Sequence, residues 1–406
     1  MKRLNLLLIL CAGFAISNAN AQGTIRIGDI SSMSGPLAIA GVPGRQGAIL
    51  AVEQINKAGG VLGRQIELVK RDDKTQPEEA GKLFSELGAQ NVLAVIGSTG
   101  SGTSKAMNAR AKELKLPFFT IVGYSRFLTE ESGHRYFFRL VTNDRVMGNG
   151  MAEAMSKQPA KTYCTIGLDY AYGRDITKVF MEHLKKLKPS AKLISGCEFW
   201  VSWGTSDFTP ILTAMLSRRP DAVMFGGLVA AAAPAFVKQG KAFGLFKRSV
   251  GVHPSIGMPV NNSGLTRKDD IPEGIYTGTD YVYPPIDNPA NNAFFAAYKK
   301  RWNELPGEIA LNAYTTVRFI VKAIKKAGKV DREAMIDAAE GLSIDHPVLG
   351  TFTVRDFDHQ STAGWWFGYL TWDATHNRAG MRDIKFFKGE DYLPSKAEIE
   401  KLRTKK

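Results

Sequence analysis

Short apolar runs alternate along the chain with longer segments in which apolar residues recur every three or four positions. The runs predict buried strands, and the longer segments predict amphipathic helices with one apolar face. In the first helix this face extends from Ala48 to Ile55, and Gly59-Gly60 ends the helix. The first series of strands is predicted at residues 25–30, 65–70, 92–96 and 117–121.

A second series of the same kind begins near Lys161. Because strand and helix alternate, each series predicts a parallel sheet covered by helices on both faces. Residues 274–285, which are rich in Tyr, Gly and Pro, predict a crossing back to the first unit, and the strand-like residues beyond 349 are expected to return to the second. The strands of the second series are predicted at residues 163–168, 192–199, 222–225 and 249–252.

The pattern therefore predicts an α/β protein made of two doubly wound parallel-sheet lobes joined by a multi-strand hinge. Two such lobes make a cleft in which ligands bind at the strand ends. Residues 381–406 are expected to form a C-terminal extension. Lobe 1 is predicted to hold residues 22–143 and 279–345, and lobe 2 to hold residues 144–278 and 346–380.

The N-terminus has the composition of a secretory signal peptide. Two basic residues are followed by the mostly apolar residues 4–16, and small residues at 19–21 predict cleavage after Ala21. Processing as a lipoprotein at Cys11 is the alternative, although Leu10 occupies a position where a small residue is expected. We therefore expect a signal peptide at residues 1–21 and a mature chain in the periplasm.

Two cysteines remain in the mature chain, Cys164 and Cys197, in a compartment that permits disulfides. Cys164 lies near the start of one predicted strand, and Cys197 lies near the end of the next. In regular parallel register the two would be offset by about three residues, on the order of 10 Å. We therefore expect two free thiols.

The most informative motif follows the third strand, where the sequence GSTGSG at residues 97–102 leads into a helix. Such a turn aims backbone N–H groups and hydroxyls at a ligand above the strand end, where the helix dipole favours an anion. We expect Thr99, Gly100 and Ser101 to hold a small acid. An ordinary strand-to-helix turn is the alternative.

Nucleotide and catalytic interpretations of the same turn fail on spacing. Thr103 occupies the position where a phosphate loop needs a lysine, and Lys105 occupies that of the third glycine of a dinucleotide-binding fingerprint. Around Ser101, Thr99 and Thr103 stand where a nucleophile elbow needs glycines. The formal net charge of +14 is dispersed except for a short run at 401–406, so we expect no nucleic-acid partner.

Several segments spread over nearly the whole mature chain carry a family resemblance. They are Ser34-Gly35-Pro36, AVEQIN at 51–56, AGGVLG at 58–63, Asp72-Asp73, Tyr172-Gly173, Asp207-Phe208, Pro220-Asp221-Ala222 and Gly274. Taken together they resemble the periplasmic binding proteins of branched-chain amino acid ABC transporters, the leucine/isoleucine/valine-binding type. The resemblance implies a two-lobed receptor that closes on its ligand and delivers it to a membrane permease.

The resemblance also implies a set of ligand contacts. In such relatives a serine matching Ser101 and groups in the loop matching Val122, Gly123 and Tyr124 hold the ligand carboxylate. The second lobe contributes a tyrosine that matches Tyr172. No catalytic group, cofactor or metal is implied, so we expect a binding protein and not an enzyme, working as a monomer with an ABC permease.

Two departures from the family bear on the ligand. In the amino-acid binders a glutamate of the second lobe pairs with the ligand ammonium, and His253 stands at the matching position; Tyr124 replaces a small hydroxyl residue. A buried ammonium without a carboxylate partner would cost several kcal/mol, unless another acid such as Asp169 takes over. We therefore hypothesise a small carboxylate without an ammonium group, for example an aromatic acid, whose far end meets His253 or Tyr172.

Other interpretations stay open at this point. The chain could be a conventional branched-chain amino acid binder, a ligand-sensing partner of a membrane receptor, or an exported hydrolase, although no triad spacing is visible. His253 could be a structural histidine of a loop. The group Asp356, Asp358 and His359 resembles a turn between strands rather than a metal site, and Trp365-Trp366 are expected to pack in the core.

Overall fold

The computed structural model describes residues 23–282 and 286–404. The predicted signal peptide at residues 1–21 lies outside the described residues. Strands and helices are numbered below in chain order. None of the described helices combines the length and apolar character needed to cross a membrane.

The first sheet is wholly parallel and has the order β2-β1-β3-β4-β5. Alternate residues of β3 enter different cores, because successive side chains of a strand point to opposite faces. Val95 packs in the core beneath α2 and α3, while Ile96 packs in the core beneath α1 and α10. The strands are β1 (Ile25–Ser31), β2 (Ile66–Asp72), β3 (Ala94–Gly97), β4 (Phe118–Thr120) and β5 (Phe137–Arg139), and the helices packed on them are α1 (Ala38–Lys57), α2 (Pro77–Ala89), α3 (Ser101–Leu114), α9 (Pro289–Trp302), α10 (Glu308–Ala327) and α11 (Arg332–Ala339).

The second sheet has the order β14-β13-β10-β9-β8-β6-β7. Strands β10, β9, β8, β6 and β7 run parallel, while β13 and β14 form an antiparallel ribbon on the β10 edge. The strands are β6 (Thr162–Leu168), β7 (Lys192–Val201), β8 (Ala222–Gly227), β9 (Val250–His253), β10 (Ile275–Thr279), β13 (Trp365–Asp373) and β14 (Arg378–Phe387), and the helices on this side are α4 (Asp144–Ser156), α5 (Ala171–Leu187), α6 (Thr209–Arg218), α7 (Ala232–Ala242) and α8 (Pro259–Asn262).

We call the first sheet with its helices the first lobe, and the second sheet with its helices the second lobe. The chain passes to the second lobe between β5 and β6, returns after β10 and crosses again before β13. A separate hairpin, β11 (Ser343–His346) and β12 (Gly350–Thr353), precedes the last crossing, and α12 (Lys396–Thr404) follows β14. The predicted class, two parallel α/β lobes joined by several crossings, is therefore confirmed, with the antiparallel ribbon as an addition.

The predicted start of a C-terminal extension at residue 381 falls inside β14. Residues 381–387 belong to the second sheet, since Met381 pairs with Leu370 of β13 and Phe387 pairs with Trp365. The chain then returns towards the first lobe, where Arg403 of α12 donates to the carbonyl oxygens of Thr129 and Glu130 at 2.8 and 3.0 Å. The C-terminal segment is thus held by both lobes.

The prediction of two free thiols is wrong, because Cys164 and Cys197 form a disulfide with their Cα atoms 4.9 Å apart. The cause is a bulge in β7. Tyr163 pairs with Leu193 but Thr165 pairs with Glu198, so β7 carries three extra residues opposite Cys164. These residues absorb the offset that regular register would impose, and Gly196 within them adopts a φ of +66°.

Candidate ligand-binding cleft

The turn after β3 is fixed by close contact with β1. Gly97 has a φ of +126°, and a Cβ atom added there would lie 2.0 Å from the carbonyl oxygen of Ile30. Ser98 also adopts a positive φ, and its hydroxyl donates to the carbonyl oxygen of Gly100 at 3.0 Å. The hydroxyl of Ser104 in turn donates to Ser98 at 2.8 Å. The sequence GSTGSG therefore forms a rigid platform at the end of β3.

Helix α3 begins on this platform at Ser101, with Gly100 as its N-cap residue. Because no side chain caps the first turn, its backbone N–H groups are left for an external acceptor. Ser101 is buried, and its Oγ accepts a hydrogen bond from the backbone N–H of Ser125 at 3.2 Å. The first-turn N–H groups, the hydroxyl and the helix dipole together suit an anion.

A buried arginine positions the neighbouring loop, which follows β4. At Gly123 the φ is +30°, and an added Cβ would lie 2.6 Å from Oγ1 of Thr120. The guanidinium of Arg139 donates to the carbonyl oxygens of Gly123 and Ser125, at 2.7 Å each. Burial lowers the pKa of Arg139 to about 10, so the side chain stays charged at neutral pH. These bonds fix the backbone on both sides of Tyr124.

Aromatic rings close the space above the platform. The ring centroid of Tyr124 lies 6.1 Å from that of Tyr172 in the second lobe and 6.2 Å from that of Trp365. Tyr170 packs on Tyr172 with a centroid distance of 6.0 Å. The hydroxyls of Tyr124 and Tyr172 are buried, and the side chains of Asn312 and Ser255, respectively, are polar neighbours of these hydroxyls. Each hydroxyl can both donate and accept, so each keeps hydrogen-bonding capacity for a ligand.

The platform and the rings enclose a cavity of about 50 Å³ between the lobes. Apart from backbone groups, its polar wall consists of hydroxyls and one carboxamide, and within the described chain no Asp, Glu, Lys, Arg or His lies on it. The first lobe contributes Leu37, Ala40, Thr99, Gly100, Ser101, Val122, Tyr124 and Ile309, and the second contributes Tyr170, Tyr172, Val229, Ala230, Ser255, Met258, Val260 and Asn261.

Six of the eight residues expected to contact the ligand thus line one cavity: Thr99, Gly100, Ser101, Val122, Tyr124 and Tyr172. Gly123 is not on the wall, because its backbone faces Thr120 and Arg139. The other wall residues were missed. Tyr170 lies two residues after the predicted strand that became β6 and could have been found from the rule that ligands bind at the strand ends. Ser255 and Asn261 lie on irregular segments that carry no comparable signal.

His253 lies behind the wall, which differs from our expectation. Its Nε2 lies 2.8 Å from the carbonyl oxygen of Leu228, and its Nδ1 accepts from the N–H of Ser255 at 3.0 Å. The ring packs edge-on against Phe225. Burial lowers the pKa of His253 to about 4, so the imidazole is neutral at physiological pH. With both nitrogens occupied by backbone, His253 has no group left for a ligand.

Asp169, the other acid considered for an ammonium, is more than half exposed and pairs with Arg174 at 2.8 Å. Two buried carboxyl groups lie nearer to the cavity, behind Tyr124. Burial raises the pKa of Asp280 to about 6 and that of Glu308 to about 8. Burial also raises the pKa of Tyr124 well above its usual value of 10, and the neighbouring Asp280 and Glu308 raise it further.

The remaining candidate residues have structural roles. Asp358 is paired with Arg355, and His359 stacks on Phe138 with its two nitrogens 3.1 Å from oxygens of Phe137 and Glu340. Within the described residues no group of His, Cys, Asp or Glu is arranged to hold a metal ion. As expected, Trp365 packs in the core, where its indole N–H donates to the carbonyl oxygen of Pro254 at 2.9 Å.

Comparison with known families identifies the architecture. The family model of the periplasmic binding proteins matches residues 24–376. The chain belongs to the periplasmic binding protein family. Membership makes this periplasmic binding protein a solute-binding component of ABC transport rather than an enzyme, as the sequence predicted.

Relatives and solved structures agree with the family. A leucine-, isoleucine-, valine-, threonine- and alanine-binding protein of Pseudomonas aeruginosa is 28% identical over 338 residues, which cover 83% of this periplasmic binding protein and 87% of the relative. A branched-chain amino acid transporter substrate-binding protein of Streptococcus pneumoniae, solved in complex with isoleucine, is 26% identical in sequence and has a TM-score of 0.75. The match covers 90% of this chain and 99% of the Streptococcus pneumoniae chain.

A solute-binding protein of an ABC transporter from Rhodopseudomonas palustris, in complex with 3,4-dihydroxybenzoic acid, has a TM-score of 0.78. Its sequence is 22% identical, and the match covers 90% of this chain and 98% of the Rhodopseudomonas palustris chain. At that identity the likeness establishes the shared fold alone. The two bound relatives carry different ligands, so the ligand of this periplasmic binding protein must be argued from its own cavity.

Proposed function

We propose that this protein is the extracytoplasmic receptor of an ABC importer and that it closes its two lobes on a small carboxylate without an ammonium group. The exported chain would work as a monomer in the periplasm and deliver the ligand to a membrane permease. No nucleic acid is involved. The family supports the transport role, and the cavity supports the ligand class.

One observation supports this class of ligand: the cavity wall carries no charged side chain and lies beside an uncapped helix N-terminus. A carboxylate at the start of α3 can accept hydrogen bonds from the first-turn N–H groups and from the hydroxyls of Thr99 and Ser101. The dipole of α3 supports the negative charge without a basic side chain. The far end of the ligand then meets aromatic and apolar side chains, and the hydroxyl of Tyr172 on the same wall can bond a polar substituent.

The cavity wall offers no partner of opposite charge to an ammonium group of the ligand. Carboxylates that could pair with one are absent from the described wall, and His253, which stands at the position of the family glutamate, is neutral and turned away. Leaving an ammonium unpaired in this cavity would cost several kcal/mol. A carboxylate lacking that group avoids the cost.

Titration calorimetry of the mature protein against benzoate, short aliphatic acids and leucine tests this proposal. We expect binding of the carboxylates and none of leucine. The Ser101→Ala variant should weaken carboxylate binding roughly 10- to 100-fold, because a hydrogen bond to a charged group is lost. Ser85→Ala is the matched control, since that hydroxyl donates to Gly81 within α2, away from the cavity. Unchanged affinity in Ser101→Ala would contradict the site.

A branched-chain amino acid is the second candidate ligand, and one atom favours it. Oδ1 of Asp280 has no hydrogen-bond partner, while its Oδ2 accepts from Asn312 at 3.1 Å. An ammonium that reached past Tyr124 could pair with this oxygen. Leucine binding that is abolished by Asp280→Asn would establish this candidate and overturn the carboxylate proposal.

A further inference from the structure

A chain of buried polar side chains lies on the second-lobe side of the ligand cavity. It consists of Asn261 in α8, Ser255 in the loop after β9 and Tyr172 in the first turn of α5, and all three residues line the cavity. Each is at most 4% exposed. Because a buried polar group is costly unless it is hydrogen-bonded, the direction of each bond in this chain decides what the chain offers to a ligand.

The backbone fixes the orientation of the Asn261 carboxamide. The N–H of Ala230 can only donate, and it bonds Oδ1 of Asn261 at 2.9 Å. Nδ2 therefore faces the other way, where it donates to the carbonyl oxygen of Ser255 at 3.0 Å and to Oγ of Ser255 at 3.1 Å. Asn261 thus acts on Ser255 as a donor only.

The other groups of Ser255 have defined partners. Its N–H donates to Nδ1 of His253 at 3.0 Å, and its carbonyl oxygen also accepts from the N–H of Met258 at 3.1 Å. Since Oγ accepts from Asn261, the hydroxyl hydrogen of Ser255 must point away from Asn261. His253, although turned away from the ligand, therefore holds the backbone of a serine that lines the cavity.

The hydroxyl of Tyr172 is the next group in the chain, because the side chain of Ser255 is its polar neighbour. Donation from Ser255 to the phenol oxygen continues the direction that Asn261 sets, since each hydroxyl then accepts one bond and donates another. The hydrogen of Tyr172 is left at the end of the chain. It can be donated to a group in the cavity that Tyr172 lines.

A chain that ends in one hydrogen suits one kind of ligand group. A carbonyl oxygen only accepts, so it pairs with this hydrogen and brings no donor of its own. A hydroxyl brings a second hydrogen, and an ammonium group brings only donors, so each would place an unsatisfied donor beside the buried wall. An alkyl group would leave the hydrogen of Tyr172 itself unpaired.

From this direction we infer that the ligand is an oxo carboxylate, held by its carboxylate at the start of α3 and by a remote carbonyl oxygen that accepts from the hydroxyl of Tyr172. The inference rests on the proposed function, because it takes the carboxylate site as given. Tyr172 then selects the acceptor, while Ser255 and Asn261 are positioning residues that set the direction of its hydrogen. The two oxygen groups of the ligand contact different lobes, so both bonds form only when the cleft is closed.

Titration calorimetry with two sets of similarly shaped ligands tests the inference. One set is 4-oxopentanoate, 4-hydroxypentanoate and 4-methylpentanoate, and the other is 4-formylbenzoate, 4-(hydroxymethyl)benzoate and 4-ethylbenzoate. In the set that binds more tightly, the oxo acid should bind roughly 10- to 100-fold more tightly than the alkyl acid, which leaves a buried donor unpaired. The oxo acid should also bind more tightly than the hydroxy acid.

Three results would overturn the inference while leaving the carboxylate site intact. They are equal affinities of the oxo and alkyl acids in that set, tighter binding of the hydroxy acid than of the oxo acid, and binding of benzoate or butanoate by a protein that binds neither set. Failure of every carboxylate to bind, benzoate and butanoate included, would overturn the proposed function as well.

Variants separate the donor from the residue that positions it. Tyr172→Phe removes the donor and should lower the affinity for the oxo acid roughly tenfold more than the affinity for the alkyl acid. Ser255→Ala leaves the hydroxyl of Tyr172 free to turn and accept, so the preference for the oxo acid over the hydroxy acid should disappear. A merely structural role of Ser255 would instead weaken the binding of both acids equally and would contradict its positioning role.

Matched controls come from the same lobe. Tyr163→Phe alters another buried tyrosine, and Ser249→Ala removes a hydroxyl that donates to the carbonyl oxygen of Pro220 at 2.6 Å; both residues lie outside the cavity wall. Neither control should change the ratios of the affinities. Thermal melting checks that each variant folds, and should Tyr172→Phe fail to fold, the ligand sets and Ser255→Ala still decide the question. An unchanged ratio of oxo to alkyl affinity in a folded Tyr172→Phe protein would overturn the inference.

Discussion

At the level of single residues, the hydrogen-bond partners of each buried polar side chain decide whether that side chain can bind the ligand at the cavity wall. His253 was expected to meet the ligand, yet its two ring nitrogens are both engaged by backbone, and this was not visible in the sequence. Ser101 was expected from its place in a glycine-rich turn, and it lies on the wall. The turn carries a local signal, whereas the partners of a histidine depend on the loops that happen to surround it.

Two buried carboxyl groups should make stability fall with rising pH. Burial raises the pKa of Asp144 and of Glu308 to about 8. Between pH 4 and 8 the folded protein therefore keeps protons that the unfolded chain has released, and the free energy of unfolding falls as pH rises. We expect a loss on the order of 1 kcal/mol per pH unit for each group, measured by urea unfolding between pH 6.5 and 8.

The pH window avoids the opposing effect of the histidines. Burial lowers the pKa of His134 and His253 to about 4 and that of His346 to about 3, which makes stability rise with pH only up to about 6.5. The Asp144→Asn, Glu308→Gln double variant should flatten the decline above pH 6.5, and Asp169→Asn should leave it unchanged. Parallel declines in the wild type and the double variant would show that other groups are responsible.

At the level of elements, the apolar pattern predicted most strands to within a few residues, because each run is buried by its own sheet. Strand β3, for example, is predicted at 92–96 and observed at Ala94–Gly97. The bulge in β7 was not predicted, since nothing local distinguishes Gly196 from a glycine in a regular strand. Pairing of Cys164 with Cys197 depends on that bulge, so the disulfide could not be predicted either.

The disulfide should stabilise the second lobe substantially. It closes a segment with a sequence separation of 33, and chain-entropy arguments assign about 3–4 kcal/mol to a loop of this size. Reduction should therefore lower the free energy of unfolding by about that amount, measured by urea unfolding with and without reductant. The Cys164→Ala, Cys197→Ala double variant serves as the control, because reductant should not affect it. A wild type that is insensitive to complete reduction would refute the estimate.

For the whole molecule, contacts between the lobes determine how often the cleft is closed. The hydroxyl of Ser125 in the first lobe donates to Asp175 of the second at 2.5 Å. The backbone N–H of Val260 donates across the cleft to Glu308 at 3.3 Å. No sequence pattern predicted these pairs, because each joins residues from separate lobes whose approach is decided by the hinge.

Removal of one such contact should shift the molecule towards an open form. Asp175→Ala loses the bond to Ser125 and should increase the radius of gyration of the ligand-free protein in small-angle X-ray scattering. Carboxylate affinity should fall roughly 3- to 10-fold, because one hydrogen bond is worth about 0.5–1.5 kcal/mol and closure is coupled to binding. Asp169→Ala is the control, since Asp169 pairs with Arg174 within its own lobe. Identical scattering and affinity in both variants would argue against a contribution of Asp175 to closure.

The uncapped start of α3 has an evolutionary consequence. Its N–H groups are part of the main chain and are removed by no substitution other than one to proline, so descendants of this chain would inherit the capacity to hold an anion as long as the turn at Gly97 persists. The side chains opposite, such as Val229, Ala230 and Ser255, carry no such constraint. New ligand preferences can therefore arise by mutation of the second lobe alone, while the first lobe preserves what all the ligands share.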